Sequence, residues 1–318
     1  MAGDDETQNR LFDAAAIAGG RGRAMARGFL GGADVVHREA AARLADRLGD
    51  VTRRFEAAVV AGTGAGAVDI ALRAALRPGA PVTMTDPSSA MLAAAVAGRP
   101  GASAAAWTGE TLPFARGEAD LALSFGLMHL VEDPVGHLIQ LRLALRPDGL
   151  MLAVFPGGET LMALRQALAE AEVAETGGIS PRIAPMADLR AAGALLQRAG
   201  FAMPVADREV LSLSYADAFA LMRDLRAMGE SAVLADRLRR PTRRAVLARA
   251  AALYAARMGT PDGRVAATVE LIVLTGWAPG PDQPQPKRPG SAKASLAEAL
   301  GTVERSAGER AGGERAGG

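Results

Sequence analysis

The chain has 318 residues, 49% of them hydrophobic, with 36 basic residues against 35 acidic ones and a net charge of +1. That length buries a substantial core in one large domain or two small ones, and near-neutrality supplies no global field to attract nucleic acid or an anionic lipid surface. Without cysteine there is no disulfide framework, thiolate metal site, iron–sulfur cluster or cysteine nucleophile, and three histidines (His37, His129, His137) are thin material for a metal centre.

Elements follow in chain order. Residues 1–32 form an N-terminal segment whose polar, acidic start lacks the pattern of a signal or transit peptide, so a cytoplasmic location is expected. No stretch reaches the ~18–20 apolar residues that span a bilayer, so no integral membrane segment is expected. Val35, Val36, Ala40, Leu44 and Leu48 recur at helical spacing within 33–50, ended by Gly49. Phe55 to Ala61 is an apolar run entering the glycine turn Gly62-Thr63-Gly64-Ala65-Gly66, and a helix follows over 67–76. Pro81 to Thr85 is a second strand, with Ser88 or Ser89 capping the next helix. Ala104 to Trp107, Asp120 to Ser124 and Leu150 to Phe155 are the third, fourth and fifth strands, with a helix over 134–146 before the last.

Apolar strands alternating with amphipathic helices predict a doubly wound, mainly parallel sheet covered on both faces. Later helices are predicted at 158–173, 186–199, 215–228 and 241–258, with Phe201 to Leu213 and Val265 to Trp277 extended. These late strands complete the sheet, and residues 215–258 form a helical cap inserted between them. The domain ends near 278; from 279 to 318 a Pro- and Gly-rich tail follows, disordered from about 301 because it cannot offset its ordering entropy.

The chemistry begins at Gly62-x-Gly64-x-Gly66. Without a Cβ, such a turn between strand and helix lets a ligand approach the backbone. Asp86 lies twenty residues beyond Gly66, at the end of the next strand, where a carboxylate can accept hydrogen bonds from both hydroxyls of a ribose. Turn plus acid predicts an adenosine-containing ligand without choosing one. With Ala67 the turn also fits the dinucleotide pattern, so NAD competes with S-adenosyl-L-methionine.

Later blocks carry a resemblance. Glu110-Thr111-Leu112-Pro113-Phe114, Asp120-Leu121-Ala122-Leu123-Ser124, Leu127-Met128-His129-Leu130 and Leu145-Arg146-Pro147-Asp148-Gly149 occur in the order seen in class I S-adenosylmethionine-dependent methyltransferases. Gly157-Gly158-Glu159-Thr160-Leu161, Ser180-Pro181-Arg182-Ile183-Ala184-Pro185 and Leu225-Arg226-Ala227-Met228-Gly229-Glu230-Ser231 make the chain similar to the complex I assembly factor 5 family, related to the malonyl-ACP O-methyltransferase of biotin synthesis. The resemblance implies a Rossmann-like sheet of seven strands and S-adenosyl-L-methionine as cofactor. It implies a transferase reaction on a protein client, a peripheral-arm subunit of respiratory complex I, with the chain peripheral to the inner membrane through that client.

Gly62, Thr63, Gly64, Gly66, Asp86, Pro87, Thr108, Gly109, Glu110 and Phe125 are the expected cofactor contacts. His129 is the expected catalytic residue, and Arg165 and Arg226 the expected substrate contacts. Two positions depart from the family pattern: Val60 replaces an aspartate of the first strand, and Thr108 replaces the acid that holds an adenine amino group. These departures make a non-catalytic assembly chaperone one alternative, and the resemblance implies an arginine hydroxylase of a complex I subunit as another. His129, His137 and Asp133 do not follow a recognised iron-ligand spacing, and no metal is expected; His129 is placed at the cofactor cleft and His137 on an exposed helix face.

Overall fold

Seven strands form in the computed structural model, which describes residues 10–107, 109–281 and 283. They are β1 (Ala58–Ala61), β2 (Val82–Thr85), β3 (Ala102–Ala104), β4 (Ala119–Phe125), β5 (Leu145–Pro156), β6 (Ala202–Tyr215) and β7 (Val265–Trp277). One sheet holds them in the order β3-β2-β1-β4-β5-β7-β6. The first five are parallel, and β7 runs antiparallel to both β5 and β6. Class I methyltransferases have this arrangement, and the doubly wound, mainly parallel sheet expected from the sequence is the one observed.

Nine helices are described: α1 (Ala14–Ala26), α2 (Val35–Gly49), α3 (Asp69–Ala75), α4 (Ser89–Ala97), α5 (Pro134–Ala144), α6 (Met162–Thr176), α7 (Leu189–Arg198), α8 (Ala218–Met228) and α9 (Arg244–Met258). Parallel strands need crossover helices, so both faces of the sheet are covered. Alternation along β7 shows the consequence: Val269, Leu271 and Val273 enter the core under α2 and α3, while Ile272 and Leu274 enter the opposite core under α5 and α7. Helices α8 and α9 lie between β6 and β7 in sequence and pack through Leu221 and Tyr254 onto α6, as the cap. None of the described helices is long and apolar enough to cross a membrane.

Three expectations change. Strand β3 lies two residues earlier than predicted, because the register Val82↔Ala102 to Met84↔Ala104 pairs it along all but the end of β2. Helix α6 starts at Met162, not 158: the Thr160 hydroxyl exchanges hydrogen bonds with the Glu270 backbone on β7 (3.0 and 3.1 Å), so the Gly157–Leu161 segment is tied to the sheet. The N-terminal segment contains an unforeseen helix, α1, although Gly19, Gly20 and Gly22 weaken its intrinsic propensity. Two of its features are favourable: Asp13 Oδ1 caps it by accepting from Ala16 N at 2.9 Å, and Gly20 lets it pass close to Gly229 at the end of α8. The tail from residue 284 and its expected disorder lie outside the described residues.

Candidate functional site

Strand β1 delivers the glycine turn at the carboxyl edge of the sheet, beside the ends of β2 and β4. Gly62, Gly64, Ala65 and Gly66 all have positive φ (84°, 50°, 53° and 104°). A Cβ at Gly62 would lie 2.0 Å from the Phe125 carbonyl oxygen, and one at Gly64 would lie 2.5 Å from Phe125 Cε1 and 3.1 Å from His37 Cδ2. At both positions the room left by the missing side chain is taken up by the chain itself. The Phe125 ring leans on the turn from the end of β4.

Asp86 stands where expected, at the end of β2, and is 3% exposed. Its Oδ2 accepts from Thr63 N (2.8 Å) and Thr63 Oγ1 (3.0 Å), and its Oδ1 accepts from Ser88 N (2.9 Å). Arg21 reaches in from α1, equally buried, with Nη1 3.5 Å from Asp86 Oδ2 and Nη2 donating to the Gly126 carbonyl at 2.6 Å. The chemical parts of a nucleoside site are therefore present at adjoining strand ends. In this conformation the carboxylate meets protein donors and a guanidinium, with acceptor capacity left on Oδ1, and an aromatic ring rests on the turn. Pro87 follows Asp86 half-buried, and Gly109 has φ 99°. Glu110 sits apart, its exposed carboxylate paired with Arg10 at 2.8 Å. Thr108 lies outside the described residues.

A cavity of about 420 Å³ opens next to this crevice, beneath the cap. Its walls are mostly apolar, including Val36 of α2, Leu164 of α6, Met222 and Leu225 of α8 and Leu271 of β7, and its size is that of a small-molecule site. His129, on the short turn after β4, lines it and is 8% exposed. Its Nε2 is 3.3 Å from Glu230 Oε2, while its Nδ1 is buried without a hydrogen-bond partner among the described residues. His37 lines the same cavity between the rings of Phe29 and Phe125, and its Nδ1 is likewise unpartnered. Burial pushes the His37 imidazole down to about 4.

Arg165 and Arg226 also line this cavity; Arg165 Nη1 donates to the Gly158 carbonyl at 2.9 Å, and Arg226 is exposed. The structure thus gathers His129, Arg165, Arg226 and Phe125 around one space and leaves Gly62, Thr63, Gly64, Gly66 and Asp86 behind it, in the packed crevice.

His137 is a correction. Although expected on an exposed helix face, it is 4% exposed and turns inward from α5 to meet Ser124 Oγ through Nε2 at 2.9 Å. Burial lowers it to about 4 as well. Asp133 caps α5 by accepting from Gly136 N, so His129, His137 and Asp133 have three separate partners.

The family blocks turn out to build walls. Arg182 grips Glu172 of α6 through Nε (2.9 Å) and Nη2 (2.8 Å), and Ser180 Oγ donates to the same carboxylate at 2.6 Å. Burial alone would raise Glu172, but these hydrogen bonds bring it down to about 2. Arg21, His37 and Glu230 escaped sequence reasoning as site residues. Glu230 stands in a family block, but no spacing says that α1 and the end of α8 meet β4.

Comparison with known proteins agrees with this architecture. Residues 59–153 match the methyltransferase domain family. The chain is 36% identical over 265 residues to the zebrafish (Danio rerio) arginine-hydroxylase NDUFAF5, mitochondrial, covering 83% of this chain and 82% of that protein. The human protein of the same name is 34% identical, covering 85% and 77%. The malonyl-[acyl-carrier protein] O-methyltransferase of Laribacter hongkongensis is 34% identical, covering 78% and 84%. Among solved structures, a Bacillus halodurans protein described as a methyltransferase superposes with a TM-score of 0.52 at 14% identity, over 75% of this chain and 98% of that one, a likeness of fold. With identity on this scale running along more than four fifths of its length, the chain belongs to the complex I assembly factor 5 (NDUFAF5) family.

Proposed function

We propose that the chain acts on a protein subunit during assembly of respiratory complex I, and that the capped cavity receives the client's reacting group beside His129. The methyltransferase domain supports S-adenosyl-L-methionine as the cofactor and methyl transfer as the reaction class. The observation that carries the reading is the position of the cavity: it opens at the carboxyl ends of β4 and β5, where open parallel sheets place their ligands, and it holds His129, Arg165 and Arg226 in one wall system. A cytoplasmic location, peripheral to the inner membrane through the client, belongs to the same reading.

A second reading has its own support. Arg21 on Asp86 and Phe125 on Gly64 fill the crevice, which favours an assembly chaperone that keeps the fold and recognises its client through the cap. The curated relatives named arginine-hydroxylases supply a third possibility for the chemistry. Mass spectrometry of peripheral-arm subunits from cells with and without the protein separates all three. A client heavier by one methylene supports methyl transfer, and one heavier by one oxygen supports hydroxylation. An unmodified client that fails to assemble in the deletion strain supports the chaperone.

A further inference from the structure

We propose that Glu230 positions His129 as a proton acceptor, and that the Nδ1 atoms of His129 and His37 together receive a group carrying an N–H or O–H in the capped cavity. The inference deepens the reading that this cavity is where the client's group enters, and rests on it.

The argument starts from the tautomer. A carboxylate only accepts hydrogen bonds, so the contact between His129 Nε2 and Glu230 Oε2 puts the imidazole proton on Nε2. In the neutral ring the lone pair is then on Nδ1, which is buried without a partner among the described residues, on a side chain that lines a largely apolar space. Native proteins rarely leave a buried polar atom unpaired, because desolvation is not repaid. Here two such atoms belong to residues, His129 and His37, that line one cavity. A ligand with two N–H donors, or a hydroxyl that donates to His129 and accepts from His37, offsets both costs.

Glu230 is built into this place. Gly229, at φ 88°, ends α8 and returns the chain so that Glu230 N donates to the Leu225 carbonyl at 2.9 Å. The Glu230 side chain keeps 31% exposure, and its carboxyl lies well below the usual range, at about 2. Burial acts to raise it, and the hydrogen bond and charge of His129, then Arg21 and His37, more than offset that. The charged and titratable groups that act on Glu230 and His37 are His129, Arg21 and, beside Arg21, Asp86; Arg165, Arg182 and Arg226 also line the cavity. A carboxylate held between one carbon stem and an imidazole fixes the ring's tautomer and stabilises its protonated form, the arrangement that makes histidine an oriented base.

The same geometry narrows the ligand. An amine, amide, guanidine or hydroxyl brings the proton that Nδ1 accepts. A bare carboxylate brings none.

Three histidines in the chain make the test direct, because each imidazole of the full-length protein gives its own signals in ¹⁵N–¹³C correlation spectra. We expect the neutral His129 ring to carry its proton on Nε2 in the wild type, a measurement that needs no variant. Glu230→Gln is expected to shift the His129 tautomer ratio toward Nδ1–H in the same spectra. Glu230→Asp is expected to restore part of that shift. Phenethyl alcohol is expected to move the Nδ1 signals of His37 and His129, and phenylacetate to leave them in place. A proton on Nδ1 of the free protein, a His129 tautomer ratio indifferent to Glu230→Gln, or a stronger response to phenylacetate overturns the proposal. Client mass spectrometry keeps the two readings apart. A client modified as fast by the folded Glu230→Gln protein as by wild type ends the dyad alone, and an unmodified client with the expected spectra ends the functional reading alone.

Discussion

The crevice at the glycine turn and the cavity beneath the cap lie side by side on the carboxyl edge of one sheet, yet they are finished in opposite ways. In the crevice, both Asp86 oxygens have partners, Arg21 lies against Asp86, and Phe125 takes the space that Gly62 and Gly64 leave. In the cavity the walls are apolar and two imidazole nitrogens lack partners. Fully paired buried polar groups hold a structure together, whereas unpaired ones facing a space are where a ligand gains most by entering. The motif residues of the first region therefore act as framework in this conformation, and the chemistry of the second comes from side chains that no short motif contains.

Acid offers the broadest challenge to that contrast, because His37 stands where the two regions meet and His137 lies behind β4. Both imidazoles titrate near 6.5 in an unfolded chain and at about 4 here, burial being the cause. The unfolded state therefore takes up protons first as pH falls. Stability is unaffected well above 6.5 and declines from there to about 4, by roughly 5 kcal/mol for the two together. Urea unfolding at neutral pH and near pH 4 measures this, and an unchanged midpoint would mean that the two rings are wetter than described.

Next in size is Gly62→Ala. With φ 84° and a Cβ 2.0 Å from the Phe125 carbonyl, it is expected to cost about 4 kcal/mol in the same assay. A stable variant that loses only ligand affinity would show the turn to be an open cradle instead. On the cavity side, Arg182→Ala removes two charge-assisted hydrogen bonds to Glu172 and is expected to cost about 2 kcal/mol, discounted for the partial exposure of Arg182. Smallest is the effect of freeing the crevice. Arg21→Ala is expected to bind S-adenosyl-L-methionine about tenfold tighter by calorimetry, equivalent to about 1.4 kcal/mol. Weaker binding would mean that Arg21 grips the ligand and leaves Asp86 when it arrives.

Local pattern made much of this protein legible. The apolar run Val265–Trp277 is a strand to the residue, and Ser88 caps the helix that follows it. Such features depend on neighbours a few positions apart, which a linear reading sees. Spacing also placed the glycine turn and Asp86 at adjoining strand ends, and the ordered blocks of 110–149 and 157–231 identified the family.

What Asp86 is bound to could not be read that way. Arg21 is distant in the chain, and α1 is weakened as a helix by its glycines until α4 and α8 pack against it. His137 looked exposed because helix spacing does not say which face meets β4, and Ser124 settles that only once the sheet forms. Glu230 reaches His129 across a separation of 101 residues. Sequence alone determined the sheet, the helices after residue 33 and the family, because each rests on short-range periodicity and ordered blocks. Only the tertiary structure decided which polar atoms are spent and which are left facing a space, since long-range packing assigns their partners.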